Sequence, residues 1–497
     1  MAATPENKTL FQAWEWHVPA DQRHYQRLLG ALDQYKAIGL TTIWLPPACK
    51  ASGGASGNGY DIYDLYDLGE FDQKGSVATK WGTKEELLTL SKKAKDLGIG
   101  LLFDAVLNHK AGADKKERCK IIEVDDNDRT KEVGEPYEIE AWLGFDFPGR
   151  GDKYSKMKWH WENFSGTDYN AENEKTAIYK ILGDNKHWSE SVADEQGNAD
   201  FMMFADIDYS HPDVCEDVKN WGEWVVKELG LSAIRFDAIQ HFSERFTNEF
   251  VDNLEQKFGK DSLFLVGEYW SPDAQLMSEW LDKMKHKMSL FDSPLVDNFS
   301  SISKTEKADL RKVFDKSFLK LRPLNAVTLV TNHDTQSGQT VETPVEAFFK
   351  PMAYALILLR AEGYPEVFYG DLYGTKKEDK PEGPVPHVAD LVLARKLYAY
   401  GKQDDYFNDA NCVGFVRHGT AERPNGLACV MSNTGPGQIK MAVGDMHAGE
   451  KWTDVLGNEE REVEIGGDGF GLFPCAGTSV SVWVSKDAQG RDQFGKL

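Results

Sequence analysis

Four short segments of this chain share one pattern, in which a run of apolar and β-branched residues stops at a carboxylate. They are LLFDAVLNH, SAIRFDAIQH, LFLVGEYW and VTLVTNHD, and their acids are Asp104, Asp237, Glu268 and Asp334. A buried parallel strand has this form when its carboxyl end opens into an active site. Because buried like charges repel and lose their solvation, four acids at strand ends indicate one catalytic centre rather than a stabilising feature.

Strand-like and helix-like segments alternate through most of the sequence, and this alternation predicts an α/β fold with a closed (β/α)8 barrel. The predicted strands begin at Leu10, Thr41, Gly100, Ser232, Leu263, Ala326 and Pro365, with a weaker one at Pro294. Helical patterns lie between these strands, and several of them end in glycine at a position typical of a helix C-terminus, as at Gly39 and Gly230.

The alternation is interrupted twice, and the 497 residues suffice for two or three domains. A long stretch rich in Asp, Glu, Asn and Gly predicts a subdomain inserted after the third strand. Near the end of the chain, short alternating segments such as TSVSVWVS predict an antiparallel β-sandwich. The predicted division is a catalytic barrel of residues 1–109 and 212–400, an inserted subdomain of residues 110–211 and a C-terminal β domain of residues 401–497.

The net charge of −23 argues against nucleic acid or an anionic membrane as a partner. The six cysteines are scattered and form no CxxC pair, which argues against a zinc site. The first residues have neither the basic region nor the apolar region of a secretion signal, and no segment is apolar enough to span a membrane. We therefore expect a cytoplasmic monomer, or a secreted protein if a signal has been trimmed.

The motifs DAVLNH, RFDAIQH, GEYW and TNHD resemble the four signature regions of the α-amylase family, glycoside hydrolase family 13. The segments GYDIYDLYDLGEFDQKGSVATKWGTKEEL and ADIDYSHPDV are similar to the subgroup of bacterial liquefying and fungal intracellular α-amylases. The resemblance covers the whole chain. It implies an endo-acting hydrolase that cleaves internal α-1,4 bonds of starch, glycogen or maltodextrin by a retaining double displacement.

The resemblance also implies a role for each site residue. Asp237 would be the nucleophile, Glu268 the general acid/base and Asp334 the stabiliser of the transition state, in line with the two carboxyl groups that retaining glycosidases use. Asp104 is expected to organise the site rather than to react. The residues implied to bind substrate are Arg235, His109, His333, Tyr60 and Trp270.

A single calcium ion is implied in the same way, and its ligands are Asn108, Asp200, Asp206 and the backbone carbonyl of His241. These hard oxygen donors suit Ca²⁺. Ser165 and Ser189 stand where relatives with a metal cluster have aspartates, so one ion is expected. Gln240 stands where these amylases usually have lysine, which leaves the product pattern open.

Two alternatives remain open. The same site would serve a relative that produces one maltooligosaccharide or transfers glycosyl groups, and the motifs do not separate these activities. A catalytically inactive glucan-binding barrel is the other alternative. Such relatives usually lose a catalytic carboxylate, whereas Asp237, Glu268 and Asp334 are all present in this chain.

Overall fold

The computed structural model describes residues 4–285 and 287–496. Eight parallel strands close into a barrel, in which each strand pairs with its neighbours in chain order and the first pairs with the last. The predicted (β/α)8 barrel is therefore confirmed. The barrel strands are Leu10–Gln12, Thr42–Trp44, Gly100–Ala105, Ala233–Phe236, Phe264–Gly267, Ser289–Phe291, Ala326–Thr328 and Tyr364–Phe368.

Local signals fix the ends of several helices. Thr83 forms a capping box with Glu86 at the start of one helix, and left-handed glycines follow two others at Gly39 and Gly230. Among the described residues, no helix is long and apolar enough to cross a membrane. The helices are His24–Ile38, Lys84–Asp96, Pro212–Leu229, Glu244–Phe258, Ala274–Lys283, Ser293–Lys304, Phe318–Leu321, Lys350–Leu358, Tyr369–Tyr373 and Val388–Tyr398.

The weaker strand predicted at Pro294 is wrong, because Ser293–Lys304 is a helix. Its start is fixed by Asp292, whose side chain accepts a hydrogen bond from the backbone N–H of Leu295 at 3.0 Å. Pro294 lies in the first turn, where its missing N–H is not needed. The sixth barrel strand is the three-residue segment just before this helix, Ser289–Phe291.

Alternate residues of the barrel strands point inward, and these inward residues change from apolar to polar towards the carboxyl ends of the strands. Strand residues that face inward form one buried cluster, which includes Leu10, Leu102 and Val266. Two residues further along a strand the next inward side chain is polar, since Leu102 is followed by Asp104 and Val266 by Glu268. The carboxylates therefore lie at the carboxyl end of the barrel, where βα-barrel enzymes have their active sites.

Among the described residues, four further sheets accompany the barrel. A six-stranded sheet is inserted after the third barrel strand, and the C-terminal region forms a six-stranded antiparallel sheet with a two-stranded one. The exact residues that divide these units stay a prediction. The inserted strands are His109–Lys110, Lys115–Asp125, Asp128–Gly144, Phe164–Asn170, Lys175–Leu182 and Ala205–Ile207. The C-terminal strands are Gln403–Tyr406, Cys412–Arg417, Leu427–Ser432, Gly437–Ala442, Lys451–Asp454, Val463–Glu464, Phe470–Cys475 and Ser479–Ser485. A two-stranded ladder joins Lys50–Ala51 to Ile62–Asp64.

Candidate active site

Arg235 is the centre of the site. It lies on the fourth barrel strand in register with Asp104 on the third, and its side chain is 1% exposed. Its Nη1 donates to Oδ1 of Asp104 at 2.5 Å and to Oδ1 of Asp237 at 2.8 Å, while Nη2 donates to Oε2 of Glu268 at 2.7 Å. One guanidinium therefore joins three of the four strand-end acids and holds two of them side by side.

Aromatic side chains fix Arg235 and Asp104 from the barrel side. The indole N–H of Trp44 and the hydroxyl of Tyr60 both donate to Oδ2 of Asp104 at 2.9 Å. The guanidinium of Arg235 lies 4.9 Å from the ring centre of Trp44 and 5.7 Å from that of Tyr60, within the range of cation–π attraction. Asp104 is thereby fully engaged by hydrogen bonds, which agrees with an organising role.

His333 and Asp334 form a second polar pair in the site. Nε2 of His333 lies 3.1 Å from Oδ2 of Asp334, and Nδ1 lies 3.1 Å from the side-chain nitrogen of Gln12. The His333 ring is parallel to that of Tyr60 within 2° and to that of Trp16 within 5°. These parallel rings provide flat apolar surface of the kind on which sugar rings stack.

The electrostatics of the site divide its acids into two groups. Burial raises the pKa of Asp237 well above its usual value and also raises that of Glu268. The neighbouring carboxylates add to this effect, and the charge of Arg235 cancels only part of it. Burial acts on Asp334 as well, but its interaction with the neighbouring His333 outweighs burial and lowers that pKa. The pair Asp237 and Glu268 therefore retains a proton at a pH where a free carboxyl group has lost it.

The other predicted substrate residues lie around this centre. His109 is 1% exposed, and its Nε2 lies 2.8 Å from the carbonyl oxygen of Tyr60, so it supports the loop that carries this tyrosine. Trp270 is half-buried against the apolar barrel cluster, two residues after Glu268. Its backbone N–H donates to the side chain of Gln240 at 3.3 Å. Gln240 is thus part of the wall of the site next to Glu268.

Asp206, one of the predicted calcium ligands, lies close to two others, Asp200 and Asn108. Asp200 and Asp206 are buried, and burial together with nearby carboxylates raises the pKa of Asp206 well above its usual value and that of Asp200 to about 7. Neither acid forms an ion pair within the described part of the chain, and both polar side-chain atoms of Asn108 are buried without a hydrogen-bond partner there. Crowded, unpaired oxygens of this kind fit a hard cation.

The described residues contain no group of three or more His, Cys, Asp or Glu side chains placed to hold a metal ion. The predicted calcium ligands do not require such a group of side chains, because they combine two carboxylates with an amide oxygen and a backbone carbonyl. Asp208 differs from Asp200 and Asp206 because it forms an ion pair, with Lys186 at 2.6 Å. Ser165 donates to Asp206, and the backbone N–H of Ser189 donates to Asp200 at 2.8 Å.

Sequence reasoning missed two residues of the site, Gln12 and Trp44. Both lie at the ends of barrel strands, Leu10–Gln12 and Thr42–Trp44, and both side chains are fully buried. A polar or indole N–H group at the carboxyl end of an otherwise apolar strand is the signal that would have identified them. The signal does not say which acid or histidine each one contacts.

Two carboxyl groups held together by one arginine, at the carboxyl end of a (β/α)8 barrel and beside flat aromatic rings, define the class of the protein as a glycoside hydrolase. The family model "Alpha amylase, catalytic domain" matches residues 26–396. With this match and the relatives below, the chain belongs to the α-amylase family, glycoside hydrolase family 13, as the motifs predicted.

The relatives support this assignment over nearly the full chain. The chain is 44% identical to an α-amylase of Bacillus licheniformis over 489 residues, which cover 98% of this chain and 95% of that protein. It is 39% identical to the cytoplasmic α-amylase of Escherichia coli K12, covering 97% and 99% respectively. A solved structure of an Anoxybacillus α-amylase has the same fold, with a TM-score of 0.63, 17% identity and 97% of each chain covered.

Proposed function

We propose that this α-amylase is endo-acting and cleaves internal α-1,4 bonds of starch, glycogen or maltodextrin with retention of configuration. The observation that carries the proposal is the bridging of Asp237 and Glu268 by Arg235, at 2.8 and 2.7 Å. Retaining enzymes need their two carboxyl groups about 5–5.5 Å apart, whereas inverting enzymes separate them to admit a water molecule. Two acids that share one guanidinium favour the closer spacing.

The hydrogen bonds suggest which oxygen of each acid reacts. Arg235 occupies Oδ1 of Asp237, so Oδ2 is the atom that attacks the anomeric carbon. Arg235 and the backbone N–H of Ala238, at 3.1 Å, both donate to Oε2 of Glu268, so the proton of this acid resides on Oε1. Oε1 gives this proton to the leaving oxygen as the sugar is transferred to Asp237, and it then takes a proton from the water that cleaves the glycosyl ester.

The remaining polar residues hold the sugar during these steps. Asp334 is ionised because His333 lowers its pKa, and we propose that both groups bind hydroxyls of the sugar at the point of cleavage. Tyr60 presents its ring beside them, parallel to the ring of His333 at a centroid distance of 5.1 Å. His109 and Trp270 complete the proposed sugar-binding surface, while Arg235 keeps Asp237 available as an anion.

The mechanism is tested with Asp237→Asn and Glu268→Gln. Both variants should lose nearly all hydrolysis of soluble starch while keeping the thermal unfolding temperature of the parent. A maltosyl fluoride, whose leaving group needs no protonation, should restore the first step in Glu268→Gln but not in Asp237→Asn. NMR of early products should show the α-anomer. Starch turnover retained in either variant, or a β-anomer as the first product, would contradict the proposal.

A second candidate activity concerns the products. The chain is also 43% identical to the glucan 1,4-α-maltohexaosidase of Bacillus sp. strain 707, over 97% of this chain and 93% of that enzyme. A time course of starch digestion separates the two activities. Mixed maltooligosaccharides with early loss of iodine staining would support endo-hydrolysis, and one dominant oligosaccharide from the start would support the second activity.

We further propose that Asn108, Asp200, Asp206 and the carbonyl oxygen of His241 hold one Ca²⁺ ion. The support is the unpaired burial of the two acids and the unpartnered amide of Asn108. The ion would neutralise these groups and join the inserted sheet to the barrel, since Asp206 lies on the inserted strand Ala205–Ile207. Metal analysis after exchange into chelator and return of calcium should give one ion per chain.

For its setting, we propose a monomeric cytoplasmic enzyme that acts on an α-glucan and binds neither nucleic acid nor membrane. The likeness to the cytoplasmic α-amylase of Escherichia coli supports the location. The net charge of −23 supports the absence of anionic partners. Size-exclusion chromatography with light scattering tests the monomer, and fractionation of the native host tests the location.

A further inference from the structure

Each ring nitrogen of His333 lies beside a polar partner, and the two partners differ in chemistry. Nε2 faces the carboxylate of Asp334, and Nδ1 faces the side-chain amide nitrogen of Gln12, each at 3.1 Å. An ionised carboxylate only accepts hydrogen bonds, and an amide NH₂ group only donates them. Both contacts are satisfied together when the ring is neutral and carries its proton on Nε2.

The ring of His333 has little freedom to choose another arrangement. It is 1% exposed, and its centroid lies 4.5 Å from that of Trp14, 5.1 Å from Tyr60 and 5.7 Å from Trp44. Gln12 is fully buried at the end of the first barrel strand. Since packing fixes the plane of the ring, the hydrogen bonds at its edge determine where the proton resides.

We propose that Gln12 is a positioning residue that fixes His333 as the neutral tautomer with its proton on Nε2. The N–H of Nε2 is then directed to Asp334 and to the sugar that this acid holds, so the inference rests on the proposed function of the site. With the proton on Nδ1 instead, the bare Nε2 would face the carboxylate of Asp334, and two acceptors would repel each other.

The surroundings of the Gln12 amide agree with a neutral ring. Glu366 lies on the eighth barrel strand in register with Leu10, and Gln12 follows Leu10 on the same face two residues later. Oε1 of Gln12 and both carboxyl oxygens of Glu366 are buried without a hydrogen-bond partner among the described residues. Burial, with the charge of Asp371, raises the pKa of Glu366 well above its usual value. Neither carboxyl oxygen of Glu366 binds the amino group of Gln12, which contacts His333 instead.

The test compares Gln12→Met, which removes the donor, with Gln12→Glu, which keeps the shape and replaces the donor by an acceptor. The readout is the ¹⁵N spectrum of ring-labelled histidine, in which the His333 signals are assigned by their loss in His333→Gln. The parent should show a protonated Nε2 and a bare Nδ1. Gln12→Glu should add a proton at Nδ1, and Gln12→Met should give a mixture of tautomers. In both variants kcat/KM on a maltooligosaccharide should fall by about threefold to tenfold, the value of one hydrogen bond.

Gln336→Met is the matched control. Gln336 is also a buried amide near the site, but it bonds to Glu15 at 3.1 Å and to the backbone N–H of Trp16 at 3.1 Å. Its loss should leave the ring signals of His333 unchanged. A proton on Nδ1 in the parent, or unchanged His333 signals in both Gln12 variants, would overturn the inference even if activity fell. A parent that does not hydrolyse any glucan would instead contradict the proposed function, and the ring spectrum would still report the tautomer.

Discussion

Replacing Arg235 by methionine should move the acid side of the pH profile upward, because this guanidinium is the counter-charge of the reacting acids. Its charge centre lies about 4 Å from that of each bonded carboxylate, and at an effective dielectric constant of about 20 each such pair is worth about 4 kcal/mol. That energy corresponds to about three pKa units. Without Arg235, Asp237 should therefore ionise about three pH units higher than in the parent.

The sign of the effect follows from the direction of the shift. Burial already raises the pKa of Asp237, and Arg235 acts against that rise. Its removal extends the range in which the nucleophile is protonated, so activity at pH 7 should fall by up to about a thousandfold and recover in part as the pH increases. Arg235→Lys keeps the positive charge but loses the planar guanidinium that contacts three acids. The acid midpoint of its pH profile should therefore shift less than that of Arg235→Met.

The assay is kcat/KM on a soluble maltooligosaccharide from pH 4 to 10, with thermal unfolding measured at each pH. Arg150→Met is the matched control, since Arg150 forms a buried pair with Asp64 at 2.7 Å and both side chains are 1% exposed. This control should lose stability, because it leaves a buried carboxylate unpaired, and keep the parental pH midpoint. If folded Arg235→Met kept the parental acid midpoint, the counter-charge argument would be refuted.

Three further outcomes are expected. Tyr60→Phe should lower kcat/KM by about tenfold, because it removes the hydroxyl that donates to Asp104 at 2.9 Å but keeps the ring. Tyr60→Ala should lower kcat/KM further; steady-state kinetics check both variants, and equal losses would refute a role for the ring. Asp206→Asn should abolish the increase in unfolding temperature that calcium gives to chelator-treated parent protein, as calorimetry would show; an unchanged increase would place the ion elsewhere. Gln240→Lys should alter the chain-length pattern of products, since lysine cannot accept the N–H of Trp270; an unaltered chromatogram would remove Gln240 from the product-determining wall.

Seven of the eight barrel strands were predictable because buried parallel strands are apolar runs that end abruptly at polar residues. The sixth strand was not, since Ser289–Phe291 has only Leu290 and Phe291 as apolar residues and the apolar run of residues 294–296 follows it. That run is helical because Asp292 caps it. A helix cap and a strand-like apolar run are both local signals, and here they favour different structures. Local pattern thus fails where a short strand depends on its neighbours in the barrel for its hydrogen bonds.

The strand-end acids were predictable as a set, but their partners were not. Four strand-end carboxylates converge in any closed barrel, so Asp104, Asp237 and Glu268 could be expected to lie near one another. The pairing of Asp104 with Trp44 joins residues 60 positions apart, and that of Gln12 with His333 joins residues 321 apart. Such contacts depend on side-chain direction and barrel register, which periodicity alone does not specify.

The charge balance of the site would let one buried cluster supply both the proposed base and the proposed acid. Arg235 contacts three carboxyl groups, and among the described residues Asp334 is paired only with His333. Full ionisation would therefore leave three negative charges in excess if that histidine is neutral. Burial makes such an excess costly, and the cluster lowers the cost by keeping a proton. Because Arg235 and Ala238 both occupy Oε2 of Glu268, Oε1 is the place where the retained proton can face the substrate. The proposed general acid would therefore be a consequence of placing more carboxylates than cations at the end of the barrel.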